Sequence, residues 1–116
     1  MTTIERPDIL QGFTQCIETG MGKLYLTINE LDGKPIEIFA TIGKSGKSTQ
    51  AKTEAIGRMA SLCLRSGVSV DKVIEQMDGI IGEHPIGYKT GVVQSIPDAI
   101  ARVLTETYIK KEKVDV

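Results

Sequence analysis

No feature limits the fold of this chain more than the stretch KLYLTINELDGKPIEIFATI, Lys23 to Ile42. It consists of two alternating runs around Asp32-Gly33. In the first, Leu24, Leu26 and Ile28 share one face, while Tyr25, Thr27 and Asn29 share the other. In the second, Ile36, Ile38, Ala40 and Ile42 form the apolar face, with Glu37, Phe39 and Thr41 opposite. Strict alternation is the period of a half-buried strand. Asp-Gly between two such runs marks a tight hairpin, because both central residues of that turn take positive φ. Upstream, Phe13 to Thr19 also alternates, and Gly20-Met21-Gly22 reads as a turn. The expectation is a three-stranded antiparallel meander with one apolar face.

After Ile42 the period changes. From about Ser48 to Ser66 the apolar residues Ala51, Ala55, Ile56, Met59, Leu62 and Cys63 recur at helical spacing, and Gly67 stands where a C-terminal glycine belongs. Ser69 is placed to cap a second helix, Val70 to Asp78, with the stripe Val70, Val73, Ile74 and Met77. Residues 79–94 are rich in Gly and Pro and read as an irregular excursion with one short strand at Val92-Val93. Ser95, with Asp98 three residues on, opens a last helix in the manner of a capping box. Pro97 fits its first turn. Ile96, Ala99, Ile100, Val103, Leu104 and Thr107 then face one side. Strands first and helices after imply an α+β fold: a three-stranded antiparallel meander followed by three helices packed on one sheet face. Residues 1–11 read as a lead-in segment, 12–108 as the domain and 109–116 as a charged tail.

Composition narrows the function classes. The 116 residues suit one domain, and with 41% hydrophobic but only 4% aromatic residues the core has to be aliphatic. Fourteen Lys and Arg against fifteen Asp and Glu leave no basic excess for duplex nucleic acid. No apolar run approaches membrane-spanning length, and MTTIERPDILQG carries no signal-peptide pattern. A cytoplasmic protein, off the membrane, is expected. Cys16 and Cys63 lie far apart and there is a single His, so neither a disulfide framework nor a metal site is expected, and no cofactor either.

The stretch ATIGKSGKSTQ, Ala40 to Gln50, carries the clearest hint of chemistry. A nucleotide-hydrolase phosphate loop reads G-x-x-x-x-G-K-[ST]. Gly46, Lys47 and Ser48 match its second half, but its first glycine falls on Thr41, and the strand before it belongs to a hairpin rather than a parallel sheet. That reading is excluded. Two others stand. In one, Gly43 and Gly46 make a turn, Ser48 or Thr49 caps the helix, and the lysines are solvated. In the other, Gly43, Lys44, Ser45, Gly46, Lys47 and Ser48 hold an anion at the helix N-terminus, where free N–H groups favour negative charge. Lys23, Arg58 and Arg65 are then the cationic neighbours, though Lys23 reads more readily as a solvated edge-strand lysine. Tyr25 and Phe39 share the open sheet face, where they could stack a base or bury a subunit contact. So small a chain with an open face is expected to form a homo-oligomer. His84 reads as a loop residue and Cys63 as a core residue. No acid–base pair or nucleophile constellation stands out, and independent catalysis is not expected.

Several stretches together carry a resemblance: TGMGKLYLTINELDGKPIEIF, IGKSG, AIGRMASLCLRSGVSVDKVIEQMDGI and SIPDAIARVL. In order and spacing they resemble the TSCPD domain, found near the C-terminus of adenosylcobalamin-dependent ribonucleotide reductases and as small stand-alone proteins. RPDILQG is similar to the segment leading into that domain. The family name spells Thr-Ser-Cys-Pro-Asp; here the stretch is Gln94-Ser95-Ile96-Pro97-Asp98. Many relatives also carry a cysteine where Met21 stands, and another near GIIGEHP. Thiol or metal roles therefore do not transfer. The resemblance implies the scaffold, and with it a non-catalytic accessory domain whose partner is a reductase large subunit. The alternative is a small homo-oligomeric protein that binds or sequesters a nucleotide or another phosphorylated small molecule.

Overall fold

The computed structural model describes residues 3–89 and 91–110. Of the charged tail at 109–116, residues 111–116 lie outside the described residues. The elements run β1 (Gln11–Thr19), β2 (Gly22–Leu31), β3 (Lys34–Ile42), α1 (Lys47–Arg65), α2 (Val70–Met77), β4 (Ile86–Tyr88), β5 (Gly91–Val93) and α3 (Ile96–Leu104). Strands β1, β2 and β3 form one antiparallel sheet in that order. This is the expected α+β meander followed by helices. One element is added: Val92-Val93 belongs to a second hairpin, in which β4 pairs with β5. With three residues per strand, alternation is too brief to register in the sequence.

The β2–β3 turn has the conformation that Asp-Gly demands, with Asp32 at φ 54° and Gly33 at φ 78°. Pairing sets Leu24, Leu26 and Ile28 opposite Ile42, Ala40 and Ile38 on one side, and opposite Ile17, Gln15 and Phe13 on the other. The three β2 residues have no solvent exposure. Below the sheet lies α3, whose Ala99, Ile100, Ala101, Val103 and Leu104 are equally solvent-free. A helix apolar on nearly every side is a buried helix, which goes beyond the one-sided stripe expected. The chain then continues into a π-helical turn, Thr105–Ile109, tied to the sheet where the Tyr108 hydroxyl donates to Glu30.

The start of α3 is a joint. The Ser95 hydroxyl accepts from the Asp98 amide at 3.2 Å. The buried Asp98 carboxylate accepts from the amides of Gly79, at 2.8 Å, and Gln94, at 2.9 Å. It thus reaches past its own helix and fastens the end of α2, which is more than a capping box does.

The largest correction concerns α1. Its stripe was expected to bury Ala51, Ala55, Ile56, Met59, Leu62 and Cys63. The buried residues are instead Thr53, Gly57, Ala60, Ser61 and Leu64, and Met59 and Leu62 stay 62% and 49% exposed. The reason is where the helix docks. It lies along the outer edge of β3, so its small-residue side faces the strand backbone. A Cβ on Gly57 would stand 3.1 Å from the Ile38 carbonyl oxygen and 3.3 Å from the Ala40 nitrogen. At Ser61 the hydroxyl accepts from the Ile38 amide, at 2.8 Å, and donates to the Ile38 carbonyl, at 3.1 Å. One side chain therefore satisfies both edge groups of that residue.

Two further expectations change. Lys23 lies on β2, the central strand, and is not an edge lysine. Glu37, assigned to the open face, is 1% exposed. The segment ahead of β1 covers it: the Ile4 amide donates to the Arg65 carbonyl at 2.7 Å, and the Arg6 guanidinium forks onto the Glu37 carboxylate at 2.9 and 3.0 Å. Tyr25 and Phe39 do remain on the open face, 43% and 54% exposed.

Removing the Ser61 hydroxyl strands a buried donor and a buried acceptor at once. Ser61→Ala should therefore lower unfolding stability by about 1–3 kcal/mol, read as a lower urea midpoint with an unchanged slope. An unchanged midpoint would show that the edge of β3 does not depend on this contact.

Candidate functional site

The glycine loop between β3 and α1 is built by local backbone bonds. The Gly43 amide donates to the Lys23 carbonyl at 2.9 Å, extending the β2–β3 pairing by one residue. Lys44, rather than a glycine, takes the left-handed conformation at φ 55°. Ser45 donates its hydroxyl to the Met21 carbonyl at 2.8 Å, and Gln50 reaches back to the Ser45 carbonyl at 2.9 Å. The N-cap is Gly46, and no side chain accepts from the first amides of α1. The expected cap by Ser48 or Thr49 is not made: Ser48 is exposed within the first turn, and Thr49 gives its carbonyl to Thr53. The turn therefore presents amides without a side-chain cap beside exposed Lys44 and Lys47.

Arg58 and Arg65 do not join this loop. Eleven residues separate Lys47 from Arg58, about 16 Å along a helix axis. Arg58 pairs with Glu54 at 3.4 Å, beside Phe39 and Thr41. Arg65, at the other end of α1, lies 3.5 Å from Glu37. Of the residues read as an anion site, the structure brings together Lys23 (through its backbone), Gly43, Lys44, Ser45, Gly46, Lys47 and Ser48.

A cleft of about 620 Å³ opens next to the loop, between the β1–β2 turn, the first half of α1, residues 81–84 and the start of α3. Lys52, Thr49, His84 and Gln94 line it, with Met21 and Ile96. His84 is thus part of a concave surface rather than a loop residue alone. Met21 and Ile96, two of the positions at which the resemblance puts cysteines, border this same cleft. Its outer wall is fixed: the Gly82 amide donates to the Gln94 carbonyl at 2.9 Å, and the Ser95 hydroxyl to the Ile80 carbonyl at 2.6 Å. A Cβ at Gly20 would fall 1.7 Å from the His84 carbonyl oxygen, so only glycine lets the wall close on the β1–β2 turn. Among the described residues no three of His, Cys, Asp and Glu converge as a metal-ligand set, and no helix is long and apolar enough to cross a membrane.

A second cleft, about 390 Å³, lies between α1 and α2. Its lining is almost wholly apolar: Ile56, Met59, Cys63, Val68, Val73 and Met77, with Lys72 and Gln76 at the side. Ile56, Met59 and Cys63 of this lining, with Ala55, belong to the stripe read from the sequence. Cys63, expected in the core, is half-buried here.

The buried carboxylate with a shifted pKa, Glu37, belongs to neither cleft. Burial pushes the Glu37 carboxyl up, but hydrogen bonds from Arg6 and Asn29, with the charges of Arg6 and Arg65, outweigh it and hold Glu37 below its ordinary value of 4.5. The Asn29 amide lies 2.6 Å from the carboxylate. A depressed folded pKa means that the unfolded chain takes up its proton first as the pH falls. The contribution is complete above the unfolded value and is lost as the pH drops through the lower, folded one. Unfolding midpoints of the native protein should therefore fall on acidification below about pH 4.5 more steeply than those of Glu37→Gln. Equal acid slopes would show that this cluster does not govern acid stability.

The fold and geometry can be set against known proteins. No curated protein and no solved structure matches the chain. A family model does: the TSCPD domain matches residues 2–108. Its signature stretch here is the Ser95–Asp98 joint that fastens α3 to α2. With all but a few residues covered by that match, the chain belongs to the TSCPD domain family.

Proposed function

We propose that this chain is a protein-binding accessory domain without chemistry of its own, and that its partner is the large subunit of an adenosylcobalamin-dependent ribonucleotide reductase. The observation that carries the reading is the exposed apolar row of α1. Met59 and Leu62 are among the most exposed large apolar residues on any helix of the fold, and Met59 with α2 borders an open apolar cleft. Apolar side chains grouped around a concave surface and flanked by polar ones are the usual mark of a protein contact. The partner's identity rests on the family, whose domain accompanies such subunits. The test is binding of the purified chain to a reductase large subunit lacking its own copy of the domain, followed by interferometry. Met59→Asp should weaken binding at least about tenfold, some 1.4 kcal/mol, without moving the melting temperature. No binding, or binding indifferent to Met59→Asp and Leu62→Asp, defeats the reading.

A second reading is favoured by the uncapped first turn of α1, with Lys44 and Lys47 exposed beside it. There the chain binds a nucleotide or another phosphorylated small molecule. A thermal-shift panel of nucleotides and inorganic phosphate checks it. The expected result is a rise in melting temperature that Lys44→Ala with Lys47→Ala abolishes. A panel without any shift makes the loop a turn only.

A further inference from the structure

The two edges of the sheet are treated unequally. At β3 the outward N–H and C=O of Ile38 are taken by Ser61, and α1 covers the strand. At β1 no backbone hydrogen bond from any described residue reaches the outer side, and β2 is its one strand partner. The alternation identifies which groups are left. Lys23 turns its carbonyl toward β3, since Gly43 donates to it. Leu24, Leu26 and Ile28 therefore bond toward β1, where they face Ile17, Gln15 and Phe13. The outward amides and carbonyls of β1 are then those of Gly12, Thr14, Cys16 and Glu18.

This edge lacks the usual protections. β1 is nine residues long, with Glu18 its single charge and no proline. Its register with β2 runs unbroken from Gln11 to Thr19, so no bulge turns the edge away. Long, regular, nearly uncharged edges invite another strand. The sequence of β1 also complements itself. In an antiparallel pairing centred on Gln15, Thr14 faces Cys16 of a second copy and Gly12 faces its Glu18. Every outward group of the strand then has a partner, and like charges never meet. On the core side, half-buried Phe13 faces buried Ile17 of the other copy, which continues the apolar layer across the junction.

We propose that β1 is the dimer interface: two copies join edge to edge about a two-fold axis at Gln15 and form one continuous six-stranded sheet. This does not rest on the proposed function, since it uses neither the apolar cleft nor the glycine loop. A two-fold axis closes the assembly, so both exposed edges are consumed together. The sheet also reaches the strand number common for sheets in globular proteins.

Sedimentation velocity of the full chain at micromolar concentration should give a dimer. Cys16→Pro should give a folded monomer, because proline is tolerated on an edge strand where the lost N–H points outward. Gln15→Cys in a Cys16→Ser background should form an intermolecular disulfide under mild oxidation, because the pairing puts the two engineered positions directly opposite each other. If Cys16→Pro fails to fold, that cross-link decides. A monomeric native protein overturns the proposal. So does a dimer that survives Cys16→Pro, or one that yields no Gln15→Cys cross-link, or one that Met59→Asp or Phe39→Asp dissociates.

Discussion

The contact between α1 and the edge of β3 sets the arrangement of everything around it. A helix comes this close to a strand backbone only through small side chains, and Gly57, Ala60 and Ser61 provide them. Once that side is committed, the longer apolar side chains of the same helix cannot also be buried under the sheet. α3 fills that space instead, which is why it is apolar nearly all round. The same docking brings Arg65 to Glu37, and Arg6 closes over the carboxylate from the chain ahead of β1. A buried carboxylate is costly unless charge and hydrogen bonds compensate it. Here two guanidinium groups and an amide do so, and the price is that the lead-in segment must stay in place.

The stretch that gives the family its name turns out to be mechanical in this chain. Ser95 holds the first turn of α3, and Asp98 takes amides from two separate segments. Both need their oxygens whatever stands between them. Ile96 is free of that duty and is buried against the core, bordering the larger cleft with Met21. The polar members of the motif thus keep the joint while the intervening position sets the character of the cleft. With Met21 and Ile96 in those places, the cleft's rim is apolar and carries no thiol there.

Much of this was legible in the sequence, and the failures share a cause. Strand period and the Asp32-Gly33 turn are local properties, so the meander and its register could be read directly. Helix existence was equally plain from the spacing in α1, α2 and α3. Which side of α1 is buried was not, because the rule that the greasiest stripe faces inward assumes docking on a sheet face. Docking on a sheet edge reverses the preference toward glycine, alanine and serine. Glu37 followed the alternation correctly and was still misjudged, since its burial comes from Arg6, thirty-one positions earlier. At the glycine loop, Gly43 to Ser48 could be grouped from adjacency alone. Arg58 could have been set apart from Lys47 by helical rise. His84 enters its cleft only through the close pass of the 79–85 segment over Gly20, and no local pattern announces that.

These features bear on how the domain would work with others. Its apolar cleft borders α1, which lies at the β3 side of the sheet, whereas the unpaired strand is β1 at the opposite side. Pairing at β1 would leave the cleft open in both copies. A dimer of this shape would carry two identical clefts related by a two-fold axis. Against a partner that is itself dimeric, the second contact would form within an existing complex, at an effective concentration set by the spacing of the sites rather than by free protein. If the cleft is a contact, doubling it by symmetry would add avidity without enlarging either copy.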